Sequence, residues 1–237
     1  LTEWISFRNK VDVNEEIRFM NKKALKRLVL HSDQSEALTL ETDAKVLRSL
    51  SGKRMPRIGY IPSIPDPRRK YFQEKVRYYA RAGFEEISYF DVEEDHSVKE
   101  TEAFFKNDVI HLSGGDPVVF WRRLEASGSL PLLHAFVARG GVLLGVSAGA
   151  MLMTPSLGVT TLSRGGLCDE SACLGLVEFE VIPHWSEHRV SAKAAERYAL
   201  TKRVSLYGLS DGECIIVNGE KATLVGTPFY CSGQQTL

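Results

Sequence analysis

Five short apolar runs, each closed by turn residues and each followed by an amphipathic stretch, constrain this chain more than any other feature. They are Arg27-Leu28-Val29-Leu30-His31, Arg57-Ile58-Gly59-Tyr60-Ile61, Ile87-Ser88-Tyr89-Phe90, Val109-Ile110-His111-Leu112 and Val142-Leu143-Leu144-Gly145-Val146. Residues apolar in succession are buried on both faces, as in a parallel sheet covered by helices. Helices are expected over residues 39–50, 69–82, 98–105, 118–125, 130–139 and 191–200. In the second of these, Phe72, Val76 and Tyr79 share one face, with Lys70, Glu74, Lys75 and Arg77 mostly elsewhere. Further strands are expected near 177–182, 204–207, 214–217 and 223–225. The alternation defines an α/β fold in three layers, a mostly parallel sheet with helices on both faces.

With 237 residues and 43% hydrophobic composition, the chain can bury a large core. Residues 1–19 lack a clear period and read as an N-terminal extension or tag, with Met20 a natural start; residues 20–237 read as a single α/β domain. Thirty basic residues balance thirty acidic ones, so no net field attracts nucleic acid or an anionic membrane. The cysteines at 168, 173, 214 and 231 form no CxxC pair and stand apart from histidines at metal-ligand spacing. They read as free thiols in a reducing cytoplasm, with no metal site expected. No stretch approaches the roughly 20 apolar residues of a membrane helix.

The chemistry centres on Gly145-Val146-Ser147-Ala148-Gly149. Gly-x-Ser-x-Gly between a buried strand and a helix puts the serine on a strained bend, its hydroxyl exposed above the sheet edge. The amide of Ala148 is then available to an oxyanion, and a second donor is expected from Ser113-Gly114-Gly115-Asp116, with Gly115 the choice. An ordinary βα turn would use the same glycines.

A serine nucleophile needs a base. Of the six histidines, His96 lies in an acidic run and reads as solvated, and His134 sits inside a helix. His31 and His111 are at or near strand ends and stay open by position. His184 is better placed, because Pro183 ends the pairing of the strand before it; His188 is its close competitor. The acid is sought at another such edge, where Asp211 follows an apolar run, although Asp211-Gly212 is also a turn signal; Glu213 remains an alternative.

These segments, 109–116, 145–150, Pro183-His184 and 208–212, resemble the dipeptidase E and cyanophycinase family of serine peptidases over most of residues 26 to 225. The order serine, histidine, acid matches that family and differs from α/β-hydrolases, in which the acid precedes the histidine. The resemblance implies a flavodoxin-like or class I glutamine amidotransferase-like fold, no cofactor, and a triad of Ser147, His184 and Asp211, with aspartate where dipeptidase E has glutamate. It implies cleavage after an aspartyl residue in a small peptide, with a homodimer allowed and no nucleic-acid or membrane partner. Gly114, Asp116 and a cation would then contact substrate. Arg189, Lys193 and Arg197 are the candidates, with Arg197 favoured. A cyanophycinase-like or isoaspartyl peptidase, another amidase or acyl transferase, and a catalytically silent ligand-binding relative are the competing readings.

Overall fold

The computed structural model describes residues 25–164, 172–186 and 190–234. The expected extension over 1–19, and Cys168, His188 and Arg189, lie outside the described residues. The strands are β1 (Arg27–His31), β2 (Ile58–Ile61), β3 (Ile87–Tyr89), β4 (Val109–Leu112), β5 (Val142–Val146), β6 (Phe179–Ile182), β7 (Ser205–Gly208), β8 (Cys214–Asn218), β9 (Lys221–Val225) and β10 (Phe229–Cys231). The helices are α1 (Glu36–Ser51), α2 (Lys70–Arg81), α3 (Val98–Phe104), α4 (Pro117–Ala126), α5 (Leu130–Ala138), α6 (Ala148–Met151), α7 (Thr160–Arg164) and α8 (Ala192–Lys202).

The five apolar runs become five adjacent strands of a seven-stranded sheet in the order β3-β2-β4-β5-β1-β8-β9. The first five of these strands are mutually parallel, and β8 and β9 add an antiparallel edge. Alternate residues of each central strand divide between two cores, as strand geometry requires. Val29, Val109, Val142 and Leu144 pack with Leu47 of α1 and Tyr78 and Tyr79 of α2. Leu28, Leu30, Ile110, Leu112 and Leu143 pack with Phe120 and Leu124 of α4 and with Leu133 and Phe136 of α5. Helices therefore cover both faces, as the flavodoxin-like expectation requires.

Three features depart from the sequence reading. A second sheet of three strands, ordered β10-β7-β6, stands apart from the first, with β6 and β7 parallel and β10 antiparallel to β7. Its strand β10 has no counterpart among the expected strands. Trp185 stacks on Phe229 with ring centroids 4.4 Å apart, and that contact holds the three-residue strand in place.

The buried face of α2 is also broader than its apolar period indicates. Lys75, expected mostly off the apolar face, is half-buried with Nζ 2.9 Å from Gln34 Oε1. It belongs to a buried polar layer. Asp43 takes His31 at 2.7 Å, Gln34 at 2.6 Å and Tyr78 at 2.7 Å, while Tyr79 bonds His111 Nδ1 at 2.7 Å. His96, expected in solvent, stacks on Phe90 at 4.0 Å between centroids and places Nε2 2.8 Å from the Asp91 carbonyl. Its ring covers apolar surface despite the acidic run beside it.

Candidate active site

The carboxyl ends of β1, β4 and β5 meet those of β6 and β7 along one edge, where an open α/β sheet ordinarily binds ligands. At the end of β5, Ser147 adopts φ 49° and ψ −108°, a conformation rarely tolerated outside glycine. The bend is locked from three sides. The Ser147 amide donates to the His31 carbonyl at 3.0 Å, its own carbonyl accepts from Met151, and the Gly149 amide donates to the Ser113 carbonyl at 3.1 Å.

Both glycines of the motif are required by close approach. A Cβ on Gly145 would lie 2.4 Å from the Gly149 backbone, and one on Gly149 would lie 2.2 Å from the Leu112 carbonyl oxygen. The strand, the turn and α6 therefore pack backbone to backbone.

The candidate base and the candidate acid each follow a strand of the small sheet. His184 follows β6 with φ 53°, and its Nε2 is 3.1 Å from Ser147 Oγ. Its Nδ1 is 2.8 Å from Asp211 Oδ1. Asp211 lies in the segment between β7 and β8, whose partners belong to different sheets, so Asp211-Gly212 is a crossing turn and not a hairpin. Both side chains keep about a third of their surface open, 30% for His184 and 32% for Asp211. The three groups thus form a hydrogen-bonded line open to a ligand.

Among the described residues, the other candidate side chains form no hydrogen bond with this line. Glu213 accepts from the amides of Ser210 at 2.8 Å and Thr227 at 2.7 Å. His31 and His111 are fully buried on the α1–α2 face. Burial, joined by the charges of Lys75 and His31, pushes His111 well below the ordinary imidazole range. Arg197 stands with Lys193, Tyr198, Lys202 and Leu162 along a groove of about 560 Å³ beside α8. No hydrogen bond or ion pair among the described residues joins it to Ser147, His184 or Asp211.

The Gly114-Gly115 loop runs against the serine. A Cβ on Gly114 would be 3.6 Å from Ser147 Cβ. Gly115 has φ 145°, and a Cβ there would collide with Ser63 Oγ at 2.3 Å. Ser63 Oγ donates to the Gly114 carbonyl at 2.6 Å, while the Ser63 amide donates to Ser113 Oγ at 2.7 Å. Asp116 Oδ1 caps α4 by accepting from the Val118 and Val119 amides. Ser63, like Ser32 at the end of β1, was absent from the sequence reading. Each follows a buried parallel strand, and that position is the signal that marks them.

The model of peptidase family S51 matches residues 28–225. The chain belongs to peptidase family S51. It is a serine-type peptidase. An uncharacterized peptidase of Pasteurella multocida is 27% identical over 167 residues, covering 65% of this chain and 80% of the relative. A Drosophila melanogaster protein named "probable alpha-aspartyl dipeptidase" is 29% identical over 147 residues, 58% of this chain and 61% of that protein. Among solved structures, a peptidase from an acI-B1 Actinobacterium superposes with a TM-score of 0.67 at 21% identity, covering 89% of this chain and 92% of that one. This S51 peptidase thus shares its fold with a relative of quite different sequence. Among its described residues, no helix is long and apolar enough to cross a membrane.

Proposed function

We propose that this S51 peptidase hydrolyses the bond after an aspartyl residue in small peptides through a Ser147-His184-Asp211 triad. One observation carries the reading: His184 Nε2 lies 3.1 Å from Ser147 Oγ while its Nδ1 lies 2.8 Å from Asp211 Oδ1. That is the reach a general base needs toward its nucleophile and its orienting acid.

The carboxylate fixes the tautomer that leaves Nε2 free to accept the serine proton. Ser147 Oγ attacks the scissile carbonyl as His184 takes its proton, and an oxyanion develops. The amides of Ala148 and Gly115 are its donors in this reading, with Ser63 and Asp116 holding the Gly114-Gly115 loop in shape. His184 then protonates the departing amine, and water, activated by the same histidine, hydrolyses the acyl-enzyme and restores Ser147.

The aspartyl preference draws support from the name of the Drosophila relative. Its side chain calls for a cation, and Arg197 is the residue assigned to it. The test is a panel of α- and β-aspartyl dipeptides assayed with the wild type and with Ser147→Ala. Turnover by the wild type alone supports the reading. Equal turnover by both proteins removes Ser147 as the nucleophile, and turnover restricted to peptides without aspartate removes the specificity. Arg197→Ala is expected to raise KM for aspartyl substrates; an unchanged KM removes Arg197 from the substrate site.

A further inference from the structure

The last residue of β1 and the one after it touch all three members of the proposed triad. The His31 carbonyl accepts the Ser147 amide at 3.0 Å. Ser32, fully buried, accepts the His184 amide on its Oγ at 2.8 Å. The same Oγ lies 2.9 Å from the Leu209 carbonyl and 3.1 Å from Asp211 Oδ1. The Ser32 amide donates to the Glu213 carbonyl at 3.1 Å, fixing the far end of the acid's segment.

A hydroxyl has one proton and two acceptor positions. The His184 amide takes one acceptor position, so the proton is shared between the Leu209 carbonyl and the Asp211 carboxylate. The oxygen of Asp211 it reaches is the one that faces His184 Nδ1. One small side chain therefore sets both the backbone of the base and the carboxylate that orients it. The backbone it grips is unusual. His184 holds φ 53°, left-handed for a non-glycine residue, and such a conformation persists only where its surroundings over-determine it. The Trp185 amide, bonded to the Leu209 carbonyl at 2.9 Å, supplies a second grip.

We propose that Ser32 is a positioning residue for the His184-Asp211 pair, an assignment that rests on the serine-peptidase mechanism above. Without its hydroxyl, the His184 amide loses its acceptor and Asp211 loses a donor. The imidazole is then free to leave the line to Ser147 while the substrate-binding loops stay as they are.

The test measures labelling of Ser147 by an alkyl fluorophosphonate, which needs no knowledge of the natural substrate. In Ser32→Ala the maximal labelling rate is expected to fall at least tenfold, with the half-saturating probe concentration changed less than twofold. Ser32→Cys keeps the volume with a much weaker hydrogen-bonding group; it is expected to fall similarly, and it decides the matter if the alanine variant does not fold. A maximal rate unchanged in a folded variant overturns the inference, as does a rise in half-saturation alone. Loss of the fold in both variants assigns the hydroxyl a purely structural role and overturns it too. A wild type that the probe leaves unlabelled removes the mechanism, and this inference with it, which is a different result from a labelled wild type and an equally labelled Ser32→Ala.

Discussion

Two histidine–aspartate pairs stand among the described residues, and they differ in what surrounds them. His31 and Asp43 meet at 2.7 Å with side chains 0% and 1% exposed. His184 and Asp211 meet at 2.8 Å with about a third of each side chain open. The distances are nearly the same. In the first pair the carboxylate also takes Gln34 and Tyr78, and the cluster is closed to solvent. Burial raises the Asp43 carboxyl, but the neighbouring His31 and the hydrogen bonds from His31, Tyr78 and Gln34 outweigh it, so Asp43 sits below its ordinary value. In the second pair the far ring nitrogen points at a serine held in a strained turn. The same pairing is closed off in one place and in the other leaves its far ring nitrogen toward a serine hydroxyl.

The largest break in that contrast is expected from Ser147→Ala, which should lower turnover by about six orders of magnitude, as loss of the nucleophile does in comparable triads. The dipeptide assay measures it, with thermal unfolding as the control that the fold survives. Asp211→Asn should cost about 10⁴-fold in turnover, because an amide supports the wrong imidazole tautomer, with folding stability changed by less than about 1 kcal/mol.

Asp43→Ala reverses the pattern. It strands His31, Gln34 and Tyr78 in a buried layer and is expected to cost about 3–5 kcal/mol in urea unfolding, with turnover of the folded protein within a few-fold of wild type. Equal losses of activity in the two aspartate variants would erase the distinction between the pairs. Gly208→Ala is a smaller intrusion on the second pair. A Cβ there would lie 2.4 Å from the Trp185 ring, next to His184. It should cost about 1–3 kcal/mol as an overpacked site and lower turnover as well, so a variant with the stability loss and full activity would uncouple Trp185 from the base.

The smallest effect is a slope with pH. His111 is held neutral in the folded protein, well below 6.5, whereas in the unfolded chain it titrates near 6.5. Between those values only the unfolded chain binds the proton. Stability is therefore greatest above pH 6.5 and falls as pH drops below it, by up to about 1.4 kcal/mol per unit from this residue. His111→Asn should flatten that part of the curve in urea titrations between pH 5 and 7.

Much of this architecture is legible in the sequence where the determining contacts are local. The β5–α6 turn is one case, because Gly145 is demanded by atoms within a few residues and Gly149 by the last residue of the adjacent strand β4. The central strands are another, since continuous burial leaves a continuous apolar run. The small sheet was not legible as a sheet. Phe229-Tyr230-Cys231 becomes a strand only because Tyr207 and Trp185 arrive beside it from elsewhere in the chain. Lys75 and His96 differ from their expectations for separate reasons: Gln34, the partner of Lys75, lies 41 residues away, while the acidic run beside His96 hides the stacking of its ring on Phe90. For the site, Pro183-His184 and Asp211-Gly212 could be picked out as strand-end residues, yet Asp211 and Glu213 were distinguishable only by the partners of their carboxylates. Ser32 escaped notice because its role depends on two sheets meeting.

That meeting of sheets bears on when the enzyme can act. Ser147 ends a strand of the large sheet, His184 ends a strand of the small one, and Asp211 rides the segment that crosses from β7 back to β8 beside β1. A ribosome releases the nucleophile turn well before the residues that complete it, and domains settle as units while synthesis proceeds. In the proposed mechanism the growing chain therefore carries its serine without a base or an oriented acid until β8 has paired with β1. In that mechanism, synthesis order by itself keeps the peptidase idle until it has nearly finished folding.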